Sequence, residues 1–219
     1  MSIKKAEIKK VFIEMLDEKL LNEGFMKIKT NEWIEYEKQR EWGFNKITPI
    51  INQYSSLFFI SLGFGLRINE ISQITSLFLD INPDFLKEAT TLNFGFNSLN
   101  YFEDSRIKVE NEDNLKFAIK MLADVIDNEA LAFFEKYRTV SDIDRDVNKI
   151  DLPSNSIFYG VRIQPFIGLT SSVLCKSIES KFWEDFYRRR LIDANQHIRN
   201  QYEKLVLHLK ENFPENLIN

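Results

Sequence analysis

Residues 57–68 read LFFISLGFGLRI and alternate strictly with a period of two. Phe58, Ile60, Leu62, Phe64 and Leu66 fall on one side of an extended chain, and Phe59, Ser61, Gly63, Gly65 and Arg67 on the other. A strand with one continuous large apolar side has to lay that side on a core, and slipping by one residue would turn it to water. The glycines also raise the question of a phosphate-cradling loop. A dinucleotide fingerprint needs glycine at the first, third and sixth positions between a strand and a helix; the sixth position here is Ile68. No Lys-Ser or Lys-Thr pair follows, as a P-loop requires. The stretch therefore reads as a strand whose second side is small in its middle.

Residues 90–98, TTLNFGFNS, repeat the device, with Leu92, Phe94 and Phe96 facing one way and Thr91, Asn93, Gly95 and Asn97 the other. Glycine on the non-core side of two strands has two readings. Either a helix crosses closely there, or the strand bulges. Alternatively, Gly63, Gly65 and Gly95 floor a shallow surface on which a ligand or a partner's backbone lies, with Arg67, Asn93 and Asn97 as its polar contacts.

The rest of the chain supplies the frame for these strands. Residues 5–22 place Ile8, Val11, Phe12, Met15, Leu16 and Leu20 on one helical face, and Gly24 is positioned to end that helix as a left-handed cap. Strands follow at 25–29 and 32–38, joined by a Thr30-Asn31 turn, and at 44–54, where Pro49 implies an edge or a bulge. Residues 106–110 read as one further strand. Helices are expected at 113–126, at 128–137 with Asn128 as N-cap, and at 139–150 with Thr139 and Asp142 forming a capping box. Residues 159–176 are ambiguous, since Pro165 and Gly168 interrupt an apolar run, and 179–213 reads as one long helix. The order predicts an α+β fold: an N-terminal helix, an antiparallel meander of five or six strands, then helices ending in a long one. We expect one domain over 1–219, with a helix-plus-sheet part in 1–110 and a helical part in 111–219 packed on it.

Composition narrows the function classes. The chain has 219 residues, and 19 phenylalanines against 7 glycines and 5 prolines argue against disorder. The net charge is −4, divided evenly between residues 1–110 and 111–219, so neither half is a basic arm and the usual footprint of a nucleic-acid binder is missing. One cysteine, Cys175, excludes an internal disulfide and a cysteine-based zinc cluster, and fits a reducing compartment. The first residues lack the uninterrupted apolar core of a signal peptide, and no run approaches the length of a membrane span, so the cytoplasm is the expected location.

No sequence cluster commits to chemistry. The aspartates of 142–146, DIDRD, lack the glycine and glutamate of an EF-hand and fit a helix start instead. His197 and His208 lie about three turns apart on one expected helix, too far to share a metal ion. No HExxH, GxSxG or SxxK occurs. No cofactor and no metal site is expected. FWEDFYRRRL (182–191) joins aromatics to arginines, and Trp183, Arg188, Arg189 and Arg190 form a candidate partner-binding patch. The plainer reading buries Phe182, Trp183 and Phe186 and leaves Arg188 and Arg189 solvated and paired with acids, which are plentiful between 103 and 146.

Two segments carry a resemblance. LLNEGFMKIKTNEWIEYEK followed by KITPIINQYSSLFFISLGFGLRI, with FFEKYRTVSDID further on, resembles a bacterial family of unknown function, the group numbered 4304 among such domains, over roughly 20–145. Such families resemble immunity-type proteins encoded near bacterial toxins. The resemblance implies a binding protein with no chemistry of its own and marks no functional residues to carry over. The expected function is thus a cytoplasmic, non-catalytic protein-binding factor, its acidic balance suited to a basic partner such as a nuclease-type toxin. The alternatives are a small-ligand binder or enzyme using the glycine-floored sheet side, and a structural subunit assembling through the C-terminal helix.

Overall fold

A computed structural model of the chain describes residues 4–29, 33–55, 57–80, 87–95, 106–152, 156–158 and 164–217. The fold is α+β. Helix α1 (Lys5–Asn22) precedes strands β1 (Met26–Lys29), β2 (Ile34–Arg40), β3 (Gly43–Tyr54) and β4 (Leu57–Ile68). A short helix α2 (Asn69–Thr75) and strands β5 (Leu92–Gly95) and β6 (Ile107–Val109) follow. The remainder is helical: α3 (Glu112–Val125), α4 (Leu131–Lys136), α5 (Val140–Val147), α6 (Gln164–Leu174), α7 (Ser180–Arg190) and α8 (Gln196–Asn212). No helix among the described residues is long and apolar enough to cross a membrane.

The chain divides into two compact units, Met1–Leu66 with Asn93–Lys136, and Arg67–Leu92 with Tyr137–Asn219. The division does not fall at 110. Helices α3 and α4 belong with the sheet, and residues 67–92 belong with the C-terminal helices.

In the first unit the sheet order is β1-β2-β3-β4-β5, and β6 also pairs with β4. The pairings β1–β2, β2–β3 and β4–β6 are antiparallel, with Tyr36 opposite Ile47 and Ile60 opposite Ile107. The β2–β3 ladder runs over Gly43–Ile47, so Pro49 lies beyond it and withholds no donor from β2. Helix α1 buries Ile8, Phe12, Leu16 and Leu20 completely, in the i, i+4 spacing of one face. It ends as the sequence requires. Gly24 adopts φ +81°, its N–H donates to Leu21 O, and Phe25 N–H reaches back to Leu20 O, the paired bonds of a Schellman cap. Asp17 then ties α1 to the sheet. Its carboxylate accepts from Tyr36 Oη at 2.7 Å and pairs with Lys27 Nζ at 2.7 Å. Burial alone would raise the Asp17 carboxyl, but the Lys27 and Tyr36 hydrogen bonds bring it below its usual range. That tie is present above the ordinary carboxylate range and is lost as acid protonates Asp17.

The core side of β4 is buried from Phe58 to Leu66. Phe64 stacks on Phe94 with ring centroids 5.4 Å apart and meets Phe134 edge-on at 6.4 Å, and Phe134 meets Phe25 at 6.3 Å. Each such buried ring contributes about 1.5–3 kcal/mol of gross transfer free energy. The helix expected at 128–137 does not start at Asn128. Helix α3 runs into a π turn over Ile126–Ala130 that leads straight into α4, and Asn128 lies inside that turn. The wider turn advances the buried stripe by one residue, so that Ile126, Ala130 and Phe134 stay on the core after Leu115, Leu122 and Val125.

The second unit is built on α6, in which every residue from Gln164 to Val173 is buried. Helices α2, α5, α7 and α8 all pack on it. The ambiguity of 159–176 is thereby settled over 164–174. Pro165 sits in the first turn, where its missing N–H costs nothing, and Gly168 is a packing glycine. Asn148 Nδ2 donates to Gly168 O at 3.0 Å, and Tyr187 Oη donates to Asn148 Oδ1 at 2.5 Å. A Cβ at residue 168 would strike the Tyr187 hydroxyl and sit 2.6 Å from Asn148 Oδ1. Helix α5 starts as expected: Asp142 N–H donates to Thr139 Oγ1 and Asp142 Oδ2 accepts from Thr139 N–H, a closed capping box.

The long helix expected over 179–213 is two helices. Residues 191–195 break it, and Asn195 restarts the chain as an N-cap whose Oδ1 accepts from Ile198 N–H at 3.0 Å. The break lets α7 and α8 both bury apolar stripes, through Trp183 and Tyr187 on one and Ile198, Tyr202, Leu205, Val206 and Leu209 on the other. Replacing Gly168 by alanine is expected to destabilise the protein by about 1–3 kcal/mol, the usual cost of overpacking. The check is the urea unfolding midpoint, which falls for Gly168→Ala with an unchanged m-value.

Candidate functional site

Side chains directly opposite in an antiparallel pair share a side of the sheet. The side away from α1 and the phenylalanine cluster begins at β1 with Met26 and Ile28, which are 56% and 36% exposed. It continues through Glu37 and Glu35, their partners on β2. Lys46 of β3 lies against both, its Nζ 3.0 Å from Glu35 and 4.0 Å from Glu37. Beyond Lys46 the surface sinks into a depression of about 340 Å³. Lys46, Thr48 and Ile50 form one wall, Gly63 and Gly65 the floor, and Asn93 with Gly95 the far side.

Gly63 is not where it is because the fold requires glycine. A Cβ built there would be 3.6 Å from Ile50 Cδ1 and 3.8 Å from Thr48 O, ordinary van der Waals contact, and the backbone is not left-handed. Strand periodicity explains the whole arrangement, because 63 and 65 alternate with the core residues 62, 64 and 66. The wall from β3 went unnoticed in the sequence. Its signal is the same period of two, which carries Lys46, Thr48 and Ile50 to one side of residues 44–54.

Of the residues that the sequence marks as a candidate binding surface, the depression brings together Gly63, Gly65, Asn93 and Gly95. Asn93 is exposed and so available for contact. Arg67 is turned to another use: it is 7% exposed, its Nε donates to Asn69 Oδ1 at 2.9 Å, and its Nη1 donates to Ala89 O. Burial pulls its guanidinium below the usual arginine value. Asn97 lies outside the described residues.

The residues of the arginine patch divide between the core and separate contacts. Trp183 is core, stacked on Tyr187 at 5.7 Å, while Phe182 is 43% exposed. Arg188 is consumed by acids of its own unit. Its Nε and Nη2 clamp both oxygens of Glu203 at 2.8 and 3.0 Å, and Nη2 also reaches Glu184 at 3.0 Å. The acids that Arg188 meets are thus on α7 and α8. Arg189 donates from Nε to Asp185 O at 3.3 Å, and Arg190 follows a further 100° round the helix, so the three never share a direction.

The aspartates of 142–146 divide their work in the same way. Asp142 caps α5, Asp144 accepts from Asn148 Nδ2 at 2.6 Å, and Asp146 accepts from Tyr137 Oη at 2.7 Å. His197 Nε2 lies 2.7 Å from Asp80, which also accepts from Gln201 at 2.9 Å, and His208 meets the Phe78 ring at 5.4 Å. Among the described residues no three His, Cys, Asp or Glu side chains gather as metal ligands. Compared with protein-family models, with curated proteins and with solved structures, the chain shows no match.

Cys175 is half-buried. Burial, with the nearby charges of Asp144 and Glu70, pushes its thiol up to about 11. At pH 8 its alkylation by iodoacetamide is therefore expected to run roughly a hundredfold slower than that of an unfolded thiol. Timed labelling with and without urea, read by mass spectrometry, checks this; equal rates would remove the protection.

Proposed function

We propose that the protein acts by binding and not by catalysis, as a cytoplasmic protein-binding factor of the immunity or defence type. The open side of its sheet receives an extended segment of the partner. Gly63 carries the reading. A glycine in a strand interior costs about 0.5–1 kcal/mol relative to alanine, and at 63 neither packing nor backbone conformation asks for it. That cost is understandable where another chain must approach the strand's backbone closely. A peptide lying there would meet the Asn93 amide and the Thr48 hydroxyl, with Ile50 beside them as an apolar contact. Lys46, the one ionisable group lining the depression among the described residues, is balanced by two glutamates, an arrangement suited to recognition more than to proton transfer.

The resemblance over 20–145 to immunity-type families supports the same reading, and a net charge of −4 favours a basic partner by complementary steering. A second reading has its own support: about 340 Å³ falls within the size range of small-molecule sites, so the same floor suits a small ligand.

Two substitutions test the proposal. Gly63→Ala is expected to stabilise the fold by about 0.4–1 kcal/mol, since residue 63 has a conformation alanine accepts. Gly63→Leu fills the depression while keeping the unfolding midpoint. A partner recovered stoichiometrically from the native host, then reconstituted from purified components, is expected to bind Gly63→Leu roughly tenfold or more weakly. Unchanged affinity would take the sheet side out of the reading. Recovery of no partner at any salt concentration would overturn protein binding and leave the small-ligand reading to a metabolite screen.

A further inference from the structure

The geometry points to a second binding site in the first unit, for a small organic anion with an apolar body, in the cleft between α1 and the ends of β2 and β3. The cleft encloses about 210 Å³, roughly the liquid volume of seven waters at ~30 Å³ each. Ile13, Ile34, Pro49 and Ile51 give it an apolar wall, and Trp33, 41% exposed, adds an aromatic surface. Pro49 and Ile51 alternate along β3 with Thr48 and Ile50, so this cleft opens on the opposite side of the sheet from the glycine floor. It is a separate site, and the inference does not rest on the proposed function.

Lys5 and Lys9 complete the lining, one turn apart on the same face of α1. Several other basic side chains of this unit are paired with acids. Lys10 pairs with Glu14, Lys19 with Asp127, Lys27 with Asp17, Arg40 with Glu135 and Lys46 with Glu35. Lys5 and Lys9 make no ion pair among the described residues, and they flank a cleft that combines positive charge with an apolar wall. The Lys4 side chain leaves the first N–H groups of α1 uncapped, so the positive end of the helix lies on the same rim.

These parts ask for different things of one ligand. An inorganic anion would satisfy the lysines and leave the isoleucines and Trp33 wet. A neutral apolar molecule would cover the wall and leave both charges unanswered. A carboxylate or phosphate monoester on a compact aromatic or short aliphatic body meets both, at a size below that of drug-like ligands.

The test titrates the full chain with benzoate, hexanoate and phenyl phosphate, following backbone amide resonances. Saturable shifts at the start of α1 and around 33–34 and 49–51 are expected, weakening as salt rises. The Lys5→Ala/Lys9→Ala double variant should lose about tenfold or more in affinity with no change in the urea midpoint, since both side chains are exposed. Benzyl alcohol and acetate should each bind far more weakly than benzoate. Absence of saturable shifts with all three anions, or an equal affinity in the double variant, overturns the site. Equal binding of benzyl alcohol overturns the anion, and equal binding of acetate overturns the apolar body.

Discussion

The two-sidedness of β4 is the constraint on which the first unit depends. Five large apolar residues at alternate positions, Phe58 to Leu66, are all buried, and a slip of one residue would turn all five to the other side. Phe64 links β4 to β5 through Phe94 and to α4 through Phe134, and Phe58 and Ile60 lie opposite Val109 and Ile107 of β6. Once that side carries the core, the other is released from packing duty. Its middle is free to be small, and it is there that the depression forms.

The second unit meets the burial problem with a helix instead of a strand. Helix α6 is enclosed all round, which satisfies its backbone internally but leaves its hydroxyls to be matched. Ser171 Oγ turns back to Gly168 O at 3.0 Å, and Ser172 Oγ meets Ser180 Oγ at 3.0 Å. The same economy governs charge. The Glu184 carboxylate is fully buried yet faces Lys210 at 2.9 Å, Arg188 at 3.0 Å and Lys181 at 3.4 Å. Burial would raise its carboxyl, and hydrogen bonds from Lys210 and Arg188 outweigh that and hold it below the usual range. Its contribution is therefore present above the ordinary glutamate range and fades as acid protonates it, loosening the α7–α8 contact first.

Much of this was legible because it is local or strictly periodic. The capping box at Thr139, the left-handed Gly24 and the alternation of 57–68 each follow from a few adjacent residues, and each stands as read. What escaped depends on partners distant in sequence. The break at 191–195 is signalled only by Asn195, and becomes necessary because Leu191 and Ile198 both have to reach the same core. The π turn at Ile126–Ala130 cannot be read from caps, since it exists to keep a buried stripe in phase. The contacts of the arginine run were hidden for a related reason: three consecutive residues diverge on a helix, and Arg188 finds Glu203 fifteen positions away.

A residue informs about function only in so far as packing does not already dictate it. Gly168 and Gly63 look alike in the sequence, each in an apolar run beside other small residues. At 168 the space of a side chain is occupied by Tyr187 and Asn148, and the glycine is explained entirely by the fold. At 63 the space is open, and the fold would be served as well by alanine. The same separation applies to charge. Arg67, Arg188 and Glu184 are locked into their own units by partners that would be left unsatisfied without them, whereas Lys5 and Lys9 border an apolar cleft and make no ion pair among the described residues. Choices that stability does not require are where selection for binding leaves its trace, and in this protein both of them lie on the two sides of one sheet.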